Sequence, residues 1–254
     1  PNIANDPRNK LYRQYLRVIR KIKPKSLFFE NVPGFCKRYG LNLQEHLVQS
    51  LEKMGYRVAS GKIFSCFYGV PQLRERFILI GVHKKFTKHE SITLPPESWT
   101  IEEINKQLTA ERVIGDLNSY SEYGGGTDKE LENYKKPART PFQREMRRIS
   151  GTTKKGKTMN TKIPDHGETV QKRFRKFLEG ETVESLKGSD LETKKHSQRA
   201  LAANKFPKMT VVSIPDDYVH YDKTMPRTFS VRECARLQTF PDHFHFYGKR
   251  TSGG

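Results

Sequence analysis

The sequence predicts an α/β fold in which helices cover a parallel sheet. Two short apolar runs, residues 27–29 and 77–82, are rich in aromatic or β-branched side chains, which is typical of buried strands. Residues 41–54 lie between the two runs and show the apolar spacing of a helix. A strand, a helix and a strand in succession favour parallel strands joined by a helical crossover.

A first helix is predicted over residues 9–23, where apolar side chains recur at helical spacing and basic side chains fill the opposite face. Pro24 ends this helix. The strand that follows leads into Glu30, just before the turn at Pro33 and Gly34. Ligands bind at the carboxyl ends of strands in open parallel sheets, so Glu30 is a candidate site residue. The alternative is a surface glutamate in a strand-to-helix loop.

A further strand is predicted over residues 56–64, although Gly61 weakens it. Between this strand and the run at 77–82, Gln72, Arg74 and Arg76 alternate along the chain. In an extended segment their side chains would point the same way. Two guanidinium groups on one face could hold Glu30, a phosphate or the oxygen of a base. The alternative is an exposed basic edge.

The charge of the chain favours a polyanionic partner. It has 47 lysine and arginine residues against 28 aspartate and glutamate residues, a formal net charge of +19. This excess predicts salt-sensitive binding to nucleic acid, and a solvated basic surface is the alternative. Cys36, Cys66 and Cys234 lack metal-ligand spacing and indicate a reducing, intracellular setting. No apolar run approaches membrane-spanning length, so no membrane contact is predicted.

Residues 95–212 lose the clean apolar periods of the preceding stretch and read as loop-rich. Short helices are predicted over residues 109–117 and 170–178, the second with an apolar face that includes Phe174 and Phe177. These phenylalanines favour a folded segment over a long disordered insert. His166 could be a ligand or a nucleic-acid contact and Trp99 could stack on a base, but a turn histidine and a packing tryptophan are the favoured interpretations.

Ser230 and Glu233 form a capping box at the start of a helix predicted to end near Gln238. Phe229 and Cys234 supply the accompanying hydrophobic staple. Residues 211–254 hold 6 basic and 5 acidic residues, so this last segment is predicted to be core framework.

Three segments in this order resemble signature segments of the DNA (cytosine-5) methyltransferases. They are Glu-Asn-Val at 30–32, Gln-x-Arg-x-Arg at 72–76 and Arg-Glu-x-Ala-Arg-Leu-Gln-x-Phe-Pro-Asp at 232–242. The resemblance implies an incomplete Rossmann-like methyltransferase sheet, with residues 1–94 as the C-terminal half of the catalytic domain. Residues 95–212 would be a target-recognition domain, and residues 213–254 a return segment on the catalytic domain. It also implies S-adenosyl-L-methionine as cofactor, double-stranded DNA as partner, base flipping and a place in DNA methylation or restriction–modification.

The resemblance also implies roles for individual residues. Glu30 would protonate or hydrogen-bond N3 of a flipped cytosine, and burial would raise its pKa for that task. Arg76, with Arg74 beside it, would stabilise the base oxygen and hold Glu30. Leu11 would contact the methyl donor, although the residues alone favour its being the first core residue of its helix.

The sequence departs from the family pattern at the nucleophile. In the family a Pro-Cys dipeptide lies well before the Glu-Asn-Val segment, and none of the three cysteines follows a proline. The glycine-rich cofactor loop is likewise not found in these residues. We therefore expect this chain alone to be inactive and to need a missing N-terminal portion or subunit. The rival interpretation is a DNA-binding subunit or relic without activity of its own.

Overall fold

A computed structural model describes residues 10–38, 41–117, 134, 136–148, 158–163, 166–194, 199–200, 204–205, 218–224 and 226–248. The chain divides into two compact units. Unit 1 comprises residues 1–65 and 74–98, and unit 2 comprises residues 66–73 and 99–254. The predicted assignment of residues 1–94, 95–212 and 213–254 to catalytic, recognition and return roles stays a prediction.

The predicted elements of unit 1 are confirmed. Helix α1 spans Leu11–Ile22 and helix α2 spans Leu43–Lys53. Strands β1, β4 and β5 span Ser26–Asn31, Tyr56–Phe64 and Glu75–His83, and the short strands β2 (Lys37–Arg38) and β3 (Leu41–Asn42) pair before α2. Helix α1 ends where the Lys23 N–H donates to the Ile19 carbonyl at 2.8 Å.

The expected parallel pairing is wrong for the described strands of unit 1. The sheet order is β1-β5-β4, and β5 is antiparallel to both neighbours. Strand β5 returns directly after β4 and inserts between it and β1, a route that antiparallel pairing permits without a helical crossover. Strands β1 and β4 therefore do run in the same direction, with α2 in the connection, but β5 separates them.

Helices α1 and α2 pack on one face of this sheet. The shared core consists of Tyr12, Leu16, Ile19, Leu27, Phe35, Cys36, Leu43, Leu47, Leu51, Tyr56, Phe77 and Leu79. A Cβ at Gly81 would lie 2.8 Å from Leu27 Cδ1, so this glycine permits the close approach of β1 and β5. The expectation that β1 is buried on both faces is wrong, because Phe28 is 61% exposed.

Unit 2 is mostly helical within its described residues. It contains α3 (Ile101–Gln107), α4 (Ala110–Ile114), α5 (Pro141–Arg147), α6 (Glu168–Glu179) and α7 (Val231–Arg236), with the parallel two-residue strands β6 (Arg199–Ala200) and β7 (Tyr218–Val219). The predicted short helices are thereby confirmed. The described part of the 95–212 interval is folded, which agrees with the favoured interpretation over a disordered insert.

Two apolar clusters organise unit 2. One joins α4 to α7 and includes Val113, Ile114, Phe229 and Leu237; the other surrounds Phe174 and Phe177 of α6. The capping box of α7 is formed as predicted: the Ser230 hydroxyl accepts from the Glu233 N–H at 3.2 Å. Phe229 is fully buried and Cys234 packs against its cluster, which agrees with the predicted staple.

Candidate active site

The structure brings two of the predicted site residues of unit 1 together. Arg76 Nε donates to Glu30 Oε1 at 2.8 Å. The register pairs Glu30 with Ile78, so Arg76 is the diagonal neighbour of Glu30 on the same face of the sheet. Arg76 Nη1 also donates to its neighbour's carbonyl, Glu75 O, at 2.7 Å. The guanidinium is thus held by β5 and presented to Glu30 at the carboxyl end of β1.

The Glu30 side chain is 45% exposed and that of Arg76 is 22% exposed. The expectation that the protein buries Glu30 is therefore wrong for the described residues. A bound base would have to supply the burial. An ion pair this exposed contributes at most about 1 kcal/mol to folding, so its geometry matters more for a ligand than for stability.

Arg74 is the unsatisfied cation of this group. Its Nη1 is buried and has no hydrogen-bond partner among the described residues. Burial, and then the charge of Arg76, lower the pKa of Arg74, while the charge of Glu30 opposes this shift. A buried donor without an acceptor is costly, and a ligand oxygen would satisfy it.

Gln72 does not follow the predicted alternation. Strand β5 begins at Glu75, so residues before it are not extended strand and need not point alternately. Gln72 belongs to unit 2, where its buried side chain donates from Nε2 to the Leu237 carbonyl at 3.1 Å. Its observed contact is therefore with the backbone at the end of α7.

Leu11 is the first residue of α1 and is 60% exposed. The interpretation of Leu11 as the first core residue is wrong, because Tyr12 takes that position and is buried. The exposed side chain is compatible with an apolar contact to a ligand. Its predicted role in cofactor binding stays a prediction.

The cysteines lack the properties of a nucleophile. Cys36 and Cys66 are buried, and burial raises the pKa of Cys36. Burial, and then the charge of Glu233, raise the pKa of Cys234 to about 12. Because the thiolate is the reactive form, the raised pKa values disfavour Cys36 and Cys234 as nucleophiles, and burial disfavours Cys66. The described residues contain no group of ligands that could hold a metal ion.

Trp99 and His166 have structural contacts. A Cβ added at Gly69 would lie 3.1 Å from Trp99 Nε1, so the glycine, which has φ +83°, leaves room for the indole. His166 Nε2 lies 3.1 Å from Thr228 Oγ1, and its ring packs edge-on against Phe174. These contacts support the packing interpretation of both side chains. Pro164 and Asp165, beside His166, lie outside the described residues.

Unit 2 contains two buried networks of charge that the sequence analysis did not find. In the first, Arg227 donates to both oxygens of Glu233 at 2.7 Å, and His220 Nε2 lies 3.4 Å from Glu233 Oε1. Burial alone would raise the pKa of Glu233, but Arg227 and His220 hold it well below its usual value. The Arg227, His220 and Glu233 side chains are all nearly inaccessible to solvent.

The second network joins four segments of unit 2. Arg236 Nε donates to Asp242 at 2.5 Å and its Nη1 donates to Asp116 at 2.9 Å. Arg147 also donates to Asp116, and Tyr134 donates to Asp242. The near-neutral composition of residues 211–254 was the signal that could have located Arg227 and Arg236, since buried arginines require acidic partners. It gives no signal for Arg147, which lies outside that segment.

Comparison with known proteins places this geometry in context. The family model of C-5 cytosine-specific DNA methylase matches residues 2–253. The Type II methyltransferase M.DdeI of Desulfomicrobium norvegicum is 28% identical over an alignment of 262 positions, which covers 97% of this chain and 60% of that protein. M.Bpa9945I of Bacillus paralicheniformis is 29% identical over an alignment of 274 positions, which covers 99% of this chain and 60% of that protein. The chain thus spans about 60% of the length of these relatives.

The solved structures include a similar chain, described as a DNA modification methyltransferase encoded within a prophage (E. coli). It aligns with a TM-score of 0.68 and 23% identity, over 95% of this chain and 66% of that chain. This likeness confirms the predicted α/β class of fold. Among the described residues, no helix is long and apolar enough to cross a membrane.

Proposed function

We propose, because the chain belongs to the C-5 cytosine-specific DNA methylase family, that it is part of a DNA cytosine-5 methyltransferase. The enzyme would move a methyl group from S-adenosyl-L-methionine to carbon 5 of a cytosine flipped out of duplex DNA. It would act inside the cell, and restriction–modification is the setting that its Type II methyltransferase relatives suggest. The observation that carries the proposal is the contact between Arg76 and Glu30 at 2.8 Å.

The chemistry assigned to Glu30 follows from its position. Carbon 5 of cytosine becomes reactive when a nucleophile adds to carbon 6, and that addition is easier when N3 is protonated or hydrogen-bonded. The exposed carboxyl of Glu30 is accessible to a base at the end of β1. A base bound there would bury the carboxyl and favour its protonated form.

The two arginines would have different roles: Arg76 would orient Glu30, and Arg74 would donate a hydrogen bond to the base. Arg76 orients the Glu30 carboxyl through its Nε contact. Arg74 keeps a buried Nη1 donor without a partner among the described residues, and this donor would take the base oxygen. The base would thereby satisfy a polar group that the protein itself leaves unsatisfied.

S-adenosyl-L-methionine would supply the methyl group, and Leu11 would form one apolar wall of its site. The exposed position of Leu11 at the start of α1 supports this assignment. Helix α1 leads into β1, the strand that carries Glu30, so Leu11 and Glu30 belong to adjacent elements of unit 1.

A second polypeptide portion would supply the nucleophile and the glycine-rich loop. Supporting this, Leu11, Val18 and Ile22 form one exposed apolar stripe on α1, and Phe28 is exposed on β1. Within the described residues β1 pairs only with β5, which leaves its other edge open. Exposed apolar surface beside an open strand edge marks a place for another segment. Without that portion, this chain would not transfer methyl groups.

Residues 95–212 would select the DNA sequence, and residues 213–254 would return the chain to the catalytic domain. The two apolar clusters of unit 2 support a folded recognition region rather than a simple linker. The basic composition of the chain supports contact with the DNA backbone.

The test is single-turnover transfer of a labelled methyl group from S-adenosyl-L-methionine to duplex DNA. It compares this chain alone with the completed enzyme, meaning this chain together with a portion that carries the Pro-Cys dipeptide and glycine-rich loop. We expect the completed enzyme to transfer the methyl group and this chain by itself not to transfer it. DNA binding without transfer by either form would favour the DNA-binding subunit or relic.

A further inference from the structure

A cavity of about 300 Å³ lies in unit 2, between α4, α5 and the segment that precedes α5. Its wall includes Glu111 and Arg112 of α4, Lys136, and Arg139 with Thr140 before α5. The cavity lies entirely within one compact unit, so its geometry is set by that unit alone. None of its residues belongs to the Glu30 group.

The floor of the cavity is polar but already satisfied. Asp116 lies at its base and accepts from Arg147 and Arg236, at 2.5 and 2.9 Å. The Thr140 hydroxyl donates to the Arg112 carbonyl at 2.9 Å, and Gln143 accepts from the Arg139 N–H at 2.7 Å. These contacts fix the shape of the floor and leave it little hydrogen-bonding capacity with which to read a base.

The rim of the cavity is positively charged and unpaired. Arg112, Lys136 and Arg139 are exposed, and within the described part of the chain their side chains form no ion pair. Three of the other exposed lysines of unit 2 have acidic partners: Lys172 with Glu168, Lys176 with Glu179 and Lys187 with Glu184. Two carboxylates also line the cavity: Asp116 is paired with Arg147 and Arg236, and Glu111 lies beside the three cations, which have no ion-pair partner among the described residues.

We propose that this rim, Arg112, Lys136 and Arg139, binds a phosphodiester group of the DNA backbone. A cavity of about 300 Å³ admits a phosphate, and clustered cations over a satisfied floor favour an anion over a neutral ligand. Contacts to phosphate fix position on the duplex without reading sequence. This inference rests on the proposed function, because it takes duplex DNA as the partner.

The test compares two triple variants with the parent chain. The rim variant is Arg112→Gln, Lys136→Gln and Arg139→Gln. The control variant is Lys172→Gln, Lys176→Gln and Lys187→Gln, which removes the same charge from the same unit. The floor uses only the backbone atoms of Arg112 and Arg139, so the rim variant should fold, and thermal melting checks this.

The measured quantity is the slope of log affinity against log salt concentration for duplex DNA. Each neutralised phosphate contributes a slope of about −0.9, so losing the one phosphate that the rim binds should make the slope less negative by about 0.9. The control should change the slope much less. Equal slopes in the two variants would overturn the rim assignment while leaving DNA binding intact. A parent chain that does not bind DNA would instead count against the proposed function.

Binding of pyrophosphate, followed by calorimetry, separates a DNA phosphate from a free anion. Weaker pyrophosphate binding by the rim variant, together with the changed DNA slope, supports the proposal. A rim variant that loses pyrophosphate binding but keeps the parent's DNA slope would show a site for a free anion and overturn it.

Discussion

Arg76 donates from Nε to Oε1 of Glu30 at 2.8 Å, diagonally across the antiparallel pair of β5 and β1. The two residues are far apart in sequence, and only the inserted strand β5 brings them together. Because both side chains retain solvent access, the pair is available to a ligand.

Glu30→Gln in the completed enzyme is expected to lower methyl transfer by about 10²–10⁴-fold. Glutamine preserves the shape and can still donate an N–H to N3, but it has no proton to deliver. Single-turnover transfer at saturating DNA measures the effect, with electrophoretic shifts to show that DNA binding is retained. Cys36→Ser is the control and should transfer near the parent rate. A Glu30→Gln enzyme with the parent rate would exclude Glu30 from the chemistry.

Arg76→Ala is expected to impair methyl transfer much more than stability. The pair with Glu30 is partly exposed, so its loss should reduce the free energy of unfolding by at most about 1 kcal/mol. Transfer should fall because Glu30 loses the group that orients it. Arg17→Ala, on the exposed face of α1, is the matched control. Denaturant unfolding and single-turnover kinetics together test this, and a large stability loss with unimpaired transfer would contradict it.

Exchange of residues 95–212 with those of a relative of different specificity should transfer the recognised DNA sequence. This interval lies between the second and third signature segments, and its described part contributes residues to both apolar clusters of unit 2. Sequencing of the methylated DNA measures the outcome. If the methylated sequence stays with the framework, the interval does not determine recognition.

Local rules predicted the local parts of this structure. Apolar spacing located α1 and α2, and the capping box at Ser230 located the start of α7. The signature segments also predicted that Arg76 could hold Glu30. Each of these inferences needs only neighbouring residues or a family pattern.

The features that sequence analysis missed depend on distant contacts. The antiparallel position of β5 follows from where the chain returns, which apolar runs do not reveal. The pairing of Arg236 with Asp116 spans α4 and α7, and no periodicity links the two residues. Leu11 has the apolar side chain expected of a core residue, but the buried position at the start of α1 is occupied by the neighbouring Tyr12.

Asp116→Asn is expected to destabilise unit 2 by about 3–5 kcal/mol, because it leaves the buried guanidinium groups of Arg147 and Arg236 without their shared carboxylate. Glu179→Gln is the control: it breaks an exposed pair with Lys176 at 3.0 Å and should cost at most about 1 kcal/mol. Denaturant unfolding of both variants checks the difference. Equal, small losses would show that the buried network contributes little.

The buried His220 should make unit 2 sensitive to mild acid. Burial, and then the charge of Arg227, lower the pKa of His220, although Glu233 and Asp222 oppose this shift. The unfolded chain therefore takes up a proton near pH 6.5 while the folded chain does not. The contribution of neutral His220 to the free energy of unfolding is therefore fully present above pH 6.5. It is lost as the pH falls below that value, by up to about 1.4 kcal/mol per pH unit for one proton.

The lowered pKa of Glu233 acts in the same direction but in a lower window, because an unfolded glutamate takes up its proton only near pH 4.3. His220→Gln should therefore flatten the fall in stability between pH 7 and pH 5 and leave the fall below pH 4.5. His243→Gln, at an exposed histidine, is the control and should keep the parent profile. Free energies of unfolding measured across this range decide the matter: if His220→Gln keeps the full slope between pH 7 and pH 5, the acid sensitivity arises elsewhere.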